Sequence, residues 1–343
     1  MAYYDGTKLL SMKDINGKKP ELFMVTTNRT AGKTTWFNRY FTKKFKSGQG
    51  KFMLLNRFNY ELSDCHDKFF KDIRNLFFPD DNMSSQCMAK GLYYELYLND
   101  IHCGYAVALN GADAIKKYSH IFNDVDRILF DEFQSENNKY CTDEIKKLLS
   151  VHTSVARGRG KQIRYVPVYM CGNTVSLLNP YYTALGISDR LKKDTQFLRG
   201  DGFVLEQGFI ESASNAMMES GFNRAFSSSD YVAYASQNIY LNDNYAFLER
   251  PEGRGRYMYT IKYLNKHYAI YEYDSLGIMY VTDKWDESFP IKLTLTTDDH
   301  NINYVMLAKN SLMIGSLRSL FNRGCFRFKN LECKAMLLKL LSY

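Results

Sequence analysis

The chain has no uninterrupted apolar run approaching the ~18 residues that a membrane-crossing helix needs, so none is expected. Its opening residues, Met1-Ala2-Tyr3-Tyr4-Asp5-Gly6, lack the basic-then-apolar pattern of an export signal, and secretion is not expected. No CxxC occurs among its seven cysteines (Cys65, Cys87, Cys103, Cys141, Cys171, Cys325 and Cys333). An odd, scattered set argues against a disulfide framework and a zinc site, and fits a reducing cytoplasm. The six histidines show neither HxxxH nor HExxH spacing, and there is no internal repeat or low-complexity tract.

What is present is room for two domains in 343 residues, and an aromatic supply of 27 Tyr and 23 Phe to fill their cores. The net charge of +8 is uneven. From Asn301 onward seven cations (Lys309, Arg318, Arg323, Arg327, Lys329, Lys334, Lys339) face one acid, Glu332. Such a segment can meet phosphates, or can simply be a solvated helix pair. These cations and Arg57 are the candidates for contact with phosphates.

Leu22 to Thr26 and Phe52 to Leu55 have the length of buried strands. Trp36, Phe37, Tyr40 and Phe41 repeat at helical spacing, and Glu61 to Phe77 also reads as helix. Leu92 to Leu98 and Ile101 to Leu109 flank Asn99-Asp100, a two-residue hairpin signal. Arg127 to Phe130 is a buried strand that ends at two acids. Thr142 is placed to cap a helix with apolar positions Ile145, Leu148, Leu149 and Val155, and Ile163 to Cys171 follows as a strand. Strands alternating with helices predict a doubly wound, mostly parallel sheet, with ligands beyond the strands' carboxyl ends. The pattern changes near residue 198. Residues 198–245 read as a polar linker, and 246–343 as a separate α+β domain, leaving 1–197 as the first domain. In the last domain Arg256 to Leu264, His267 to Tyr273 and Leu276 to Asp283 form a meander with turns at Asn265-Lys266 and Asp274-Ser275.

The chemistry concentrates at two places. Thr27-Asn28-Arg29-Thr30-Ala31-Gly32-Lys33-Thr34, continued by Thr35, follows the phosphate-loop pattern GxxxxGK[ST] with threonine in place of the first glycine. Backbone N–H groups and a helix N-terminus can hold phosphates, Lys33 can reach the β- and γ-phosphates, and Thr34 can ligate magnesium. Thr27 requires a negative φ there, or strain. About a hundred residues later, Ile128-Leu129-Phe130-Asp131-Glu132 carries two acids off a buried strand. Such acids are costly unless paired or bound to metal. Asp131 can hold magnesium, and Glu132 can orient or deprotonate water; the plainer alternative is two acids capping a strand. Arg157 and Arg159 end the following helix. They either offset its dipole or act as an arginine finger in a neighbouring subunit. Asn173, after the strand ending Met170-Cys171-Gly172, can sense the γ-phosphate or simply occupy a turn.

With these residues in order, the chain resembles the DNA-packaging (encapsidation) ATPases of small tailed phages, the φ29 type, in the terminase/FtsK-like branch of ring ATPases. The matching strings are Ala31-Gly32-Lys33-Thr34, Ile128 to Phe133, Arg157-x-Arg159, Asn173-x-Val175-Ser176-x-x-Asn179-Pro180-Tyr181, and Leu295-Thr296-Thr297-Asp298-Asp299-x-Asn301. The resemblance implies a P-loop ATPase domain of the division with an additional strand and a catalytic glutamate. It also implies a small linker and an RNase H-like domain that has lost nuclease activity. It further implies a homomeric ring of five subunits in the host cytoplasm, docked on the portal of a prohead, touching a structural RNA and driving double-stranded DNA inward with ATP and magnesium. Carried over by motif, Lys33, Thr34 and residues 27–35 bind the nucleotide, Asp131 and Thr34 hold magnesium, Glu132 is the base, and Arg157 is a finger acting in trans.

Two other readings stay open: a nucleotide-gated switch that binds nucleic acid without sustained turnover, and a terminase-like ATPase with an active nuclease. A two-metal nuclease needs clustered carboxylates, one of them on the first strand. The strand from Arg256 to Leu264 has none, so no nuclease activity is expected, and Asp298 and Asp299 read more simply as caps of the next helix.

Overall fold

The computed structural model describes residues 3–341 apart from 64, 138, 159, 161, 178, 192–194, 238–246 and 308–310. Arg159, Lys161 and Lys309 therefore lie outside the described residues. The chain divides into two units, Met1–Asn242 and Asp243–Tyr343.

In the first unit the strands are β1 (Leu22–Thr27), β2 (Lys51–Asn56), β3 (Met83–Met88), β4 (Tyr93–Leu98), β5 (Ile101–Ala108), β6 (Val125–Phe130), β7 (Val168–Asn173), β8 (Phe197–Gly200) and β9 (Phe203–Gln207). Its α-helices are α1 (Thr7–Ser11), α2 (Lys33–Lys46), α3 (Cys65–Phe77), α4 (Ala112–Ile115), α5 (Glu144–Ala156), α6 (Pro180–Leu185), α7 (Glu211–Glu219), α8 (Gly221–Ala225) and α9 (Asp230–Gln237). One sheet runs β3-β4-β5-β2-β6-β7-β1-β9-β8. The six strands from β5 to β9 pair in parallel. Antiparallel strands close both edges. β7 is inserted between the strand that feeds the lysine loop and the strand that ends at the acids, which is the additional central strand expected. Because these neighbours are parallel, Thr27, Asp131 and Asn173 all leave the sheet at one edge.

Aromatic packing fixes the helix that follows the loop. Phe37 and Phe41 of α2 are fully buried, while Trp36 and Tyr40 flank them half-buried. The Phe41 ring meets Phe52 of β2 edge-on at 5.9 Å and Tyr169 of β7 at 5.3 Å. Phe41→Ala removes a ring from this cluster and should cost about 3–5 kcal/mol, read as a lowered denaturant midpoint at unchanged slope.

Several local expectations hold. Asn99 and Asp100 adopt the paired positive φ values, +50° and +64°, of a tight hairpin turn. Others are corrected. Thr142 does not cap α5: Asp143 precedes the helix in left-handed conformation without a side-chain cap, and Leu149 is exposed. The strand expected from Ile163 starts at Val168, because Arg164 N–H bonds back to Ala156 O and Pro167 has no N–H to give a ladder. The sheet does not end near residue 198: β8 and β9 lie in the segment read as linker, and β9 pairs with β1. β3 went unread because an exposed edge strand of sequence MSSQCM carries no apolar alternation.

In the second unit β10 (Arg256–Tyr263), β11 (Lys266–Tyr273) and β12 (Ile278–Thr282) form the meander. β13 (Lys292–Thr294), β14 (Val305–Met306) and β15 (Phe326–Phe328) add parallel strands, giving the order β14-β13-β10-β11-β12-β15. β10 is central, with β11 and β12 on one side and the parallel β13 and β14 on the other. α10 (Leu312–Asn322) and α11 (Leu331–Leu341) contribute Ile314, Leu317, Met336 and Leu337 to its core. The first turn is Leu264-Asn265, both at positive φ, one residue earlier than expected.

Asp298 and Asp299 cap no following helix. Thr296 caps their single 3-10 turn, Ser311 caps α10, and buried Asp299 accepts Asn265 N–H at 3.1 Å to fasten the β10–β11 turn. Three of the cations expected to face phosphates have partners within the unit. Arg318 donates to Leu341 O, Arg327 pairs with Glu249, and Lys329 pairs with Asp283. β10 carries no acid, and no group of three or more His, Cys, Asp or Glu side chains among the described residues could hold a metal.

Candidate nucleotide-binding site

Thr27 ends β1 with ordinary strand geometry, so threonine is compatible with the first-glycine position. The positive φ falls instead on Thr30 (+58°) and Gly32 (+88°), the latter at the N-cap of α2. The Thr27 hydroxyl also has a task. It accepts a hydrogen bond from Lys33 Nζ at 2.9 Å while donating to Asn28 O at 2.8 Å. Lys33 Nζ donates to Asn173 Oδ1 at 3.0 Å as well, so the register that puts Thr27 beside Asn173 also sets the lysine. Burial pushes the Lys33 ammonium down to about 8, against the pull of Asp131 and Glu132.

Across β7, Thr34 Oγ1 donates to Asp131 Oδ1 at 3.2 Å. Burial, reinforced by the charge of Glu132, pushes the Asp131 carboxyl up to about 6. Glu132 N–H donates to the same oxygen at 3.0 Å, and Glu132 itself sits at φ +53°. The oxygens of Thr34 and Asp131 are hard donors, the type that magnesium prefers. A cavity of 880 Å³ is lined by the loop from Arg29 to Trp36 together with Tyr3, Arg39, Phe77 and Asn173. That is the size of a small-ligand pocket, roughly 300–1,000 Å³.

The other expected site residues divide. Thr30, Ala31 and Thr35 line the cavity. The Asn28 side chain turns away and bonds both the N–H and the C=O of Ile210. Arg29 pairs with Glu136 at 3.0 Å, bonds the Tyr231 hydroxyl, and gives its backbone N–H to Ala235 O of α9. Arg157 is exposed at the C-terminal cap of α5 and is not among the residues lining the cavity. Arg57 is not a channel residue: it is buried, ion-paired to Glu144 at 3.1 Å.

Sequence reasoning missed Glu136, Glu144 and Gln134. Gln134 Oε1 accepts the N–H groups of Val175 and Ser176, tying the acidic turn to the loop after β7. Asn179 caps α6 by accepting Tyr181 and Tyr182 N–H, with Pro180 at the first helical position. The Tyr181 hydroxyl then reaches Glu144. The long Asn-x-Val-Ser-x-x-Asn-Pro-Tyr string is thus largely a scaffold under the acids. No local signal marked Glu144: an acid in the first turn of a helix ordinarily answers the dipole, and its arginine partner lies 87 residues away.

A magnesium–triphosphate held by these residues would meet a pH window set by the two shifted groups. Cation binding needs Asp131 ionised and phosphate binding needs Lys33 protonated, so affinity should fall below about 6 and above about 8. Binding should release a proton on the acid limb and take one up on the alkaline limb, read by calorimetry in buffers of different ionisation enthalpy. Asp131→Asn should remove the acid limb alone. In the free protein the signs are the reverse of a salt bridge's. Asp131 is raised from 3.8, so its contribution to stability is lost as pH rises through about 6.

Fold and site together define a mixed α/β chain whose large, mostly parallel sheet brings a lysine-bearing strand–loop–helix and an acidic strand end to one edge. The chain belongs to the podovirus DNA encapsidation protein (Gp16) family, whose model matches residues 1–342. It is 26% identical over 332 residues to the DNA packaging protein of Bacillus phage phi29, covering 96% of this chain and 93% of that one. The DNA packaging protein of Bacillus phage PZA matches over the same lengths at the same identity. Among solved structures, a chain of the bacteriophage phi-29 viral genome packaging motor assembly superposes with a TM-score of 0.72 at 24% identity, covering 100% of this chain and 99% of that one. That likeness establishes the shared fold.

Proposed function

We propose that this chain is the ATP-driven motor that moves double-stranded viral DNA into a prohead. The observation that carries the reading is the convergence of Lys33, Thr34 and Asp131 at one sheet edge, in a chain that matches the encapsidation family along its length. Bound magnesium–ATP supplies the phosphoanhydride whose cleavage drives movement. Lys33 exchanges its bonds to Thr27 and Asn173 for phosphate oxygens, and Thr34 and Asp131 are the groups that hold magnesium. Glu132 orients water and accepts its proton. Arg157 serves the site of the adjoining subunit in a ring of five. Contact with DNA is to phosphates, hence indifferent to sequence and sensitive to salt. The ring works at the portal vertex, where a prohead structural RNA is a further partner.

Steady-state phosphate release tests this, measured with the protein alone, with duplex DNA, and with DNA plus portal-bearing proheads. Turnover should rise at each step. Tight nucleotide binding with negligible release under all three conditions would replace the motor by a nucleotide-gated switch. Magnesium-dependent DNA cutting by the purified protein, lost on mutating the second unit's acids, would restore the nuclease reading.

A further inference from the structure

Arg57 follows the last residue of β2 and is enclosed by the site's supports. Its side chain is 7% exposed and that of Glu144 is 1% exposed. Nε donates to both Glu144 carboxylate oxygens at 3.1 Å. Nη1 donates to Glu132 O at 3.1 Å and Nη2 to Phe133 O at 2.7 Å. The Phe130 and Tyr140 rings stand 5.5 and 5.0 Å from the guanidinium carbon. Glu144, in the first turn of α5, also accepts Cys141 N–H at 2.7 Å and the Tyr181 hydroxyl.

A buried ion pair alone would need only Glu144. The two further bonds go to consecutive carbonyls of the acidic turn, and the first belongs to a glutamate held at φ +53°. A glutamate keeps such a conformation only where its surroundings impose it. Glu132 N–H gives its bond to Asp131 Oδ1, an oxygen that a cation would claim. The Arg57 bonds go to the carbonyls of Glu132 and Phe133 and make no use of Asp131.

We propose that Arg57 is a positioning residue for ATP hydrolysis: its guanidinium clamps the Glu132 and Phe133 carbonyls and so fixes where the Glu132 carboxylate stands, and Glu144 is the counter-charge that keeps the clamp buried. The inference rests on Glu132 as the catalytic base. Only a planar fork can span a carboxylate and two carbonyls at once; a lysine is a point charge.

The test is ATP turnover by the full chain. Arg57→Lys keeps the charge opposite Glu144 but cannot hold both carbonyls. It should lower kcat by about 10- to 100-fold, the scale of a 1 Å misplacement, with KM for ATP nearly unchanged. Should that variant fold poorly, Arg57→Met paired with Glu144→Met removes both buried charges. It should melt above Arg57→Met alone while kcat stays low. A folded variant of either kind with wild-type kcat overturns the proposal, as does a rise in KM that accounts for the whole loss of kcat/KM. Glu132→Gln separates the two levels. If it is inactive and the Arg57 variants are not, the clamp is wrong and the base stands. If Glu132→Gln turns over normally, the base assignment falls and takes the clamp with it.

Discussion

Subunits carrying Arg157→Ala and subunits carrying Glu132→Gln, each inactive alone, are expected to recover ATP turnover when mixed. An arginine finger contributes about 10³ to 10⁵ in rate, so its loss should silence a homogeneous ring. Arg157 is exposed, stands at the end of α5 outside the lining of its own chain's cavity, and precedes Gly158 at φ +103°. A side chain so placed can serve a site across a head-to-tail interface. In a mixed ring, an Arg157→Ala subunit has an intact Glu132 and can receive Arg157 from a Glu132→Gln neighbour. Random mixing at equal ratio makes about a quarter of the interfaces competent in a heterologous ring. If Arg157 only offsets the α5 dipole, its removal should cost well under about 1 kcal/mol and leave turnover intact. The absence of recovery at every ratio would sink the trans role.

Lys33→Ala is expected to remove nucleotide binding. The ammonium gives two bonds, to Thr27 and Asn173, which phosphate oxygens would take over. Bonds to a charged group contribute about 1.5–3 kcal/mol each, so losing two lowers affinity by about 10² or more. The variant should remain folded, because Thr27 retains its bond to Asn28 O and the removed ammonium is itself disfavoured by burial. Fluorescent-nucleotide titration beside a melting curve reads both. Wild-type affinity in a folded Lys33→Ala protein would detach this loop from the function.

The same residues show how far a linear reading reaches. The strand–loop–helix at 22–46 and the strand ending at Asp131 were legible because each is encoded locally, by an apolar run, a glycine at the N-cap, or aromatics at helical spacing. Arg57 was misread as a candidate for DNA contact because a lone arginine after a strand carries no sign of burial. Glu144, its partner, lies 87 residues away. The segment after residue 198 read as linker because five residues such as Phe203–Gln207 have no periodicity long enough to declare a strand. Their place beside β1 follows from pairing, not from composition. Thr27 looked like a defect in the loop until its hydroxyl was found holding Lys33.

By itself the sequence nominated the candidate groups: a lysine and a threonine at a helix start, two acids off a buried strand, an arginine followed by a glycine, and an order of motifs that resembles a known family. Tertiary structure alone decided which of them meet. Parallel pairing carried β1, β7 and β6 to a common edge, so that Lys33 reaches Asn173 and Thr34 reaches Asp131. The reason is physical. Helix and strand propensities act over a few residues, whereas the contacts that aim Lys33, Asp131 and Glu132 span 75 to 140 positions and exist only once the sheet's register is set.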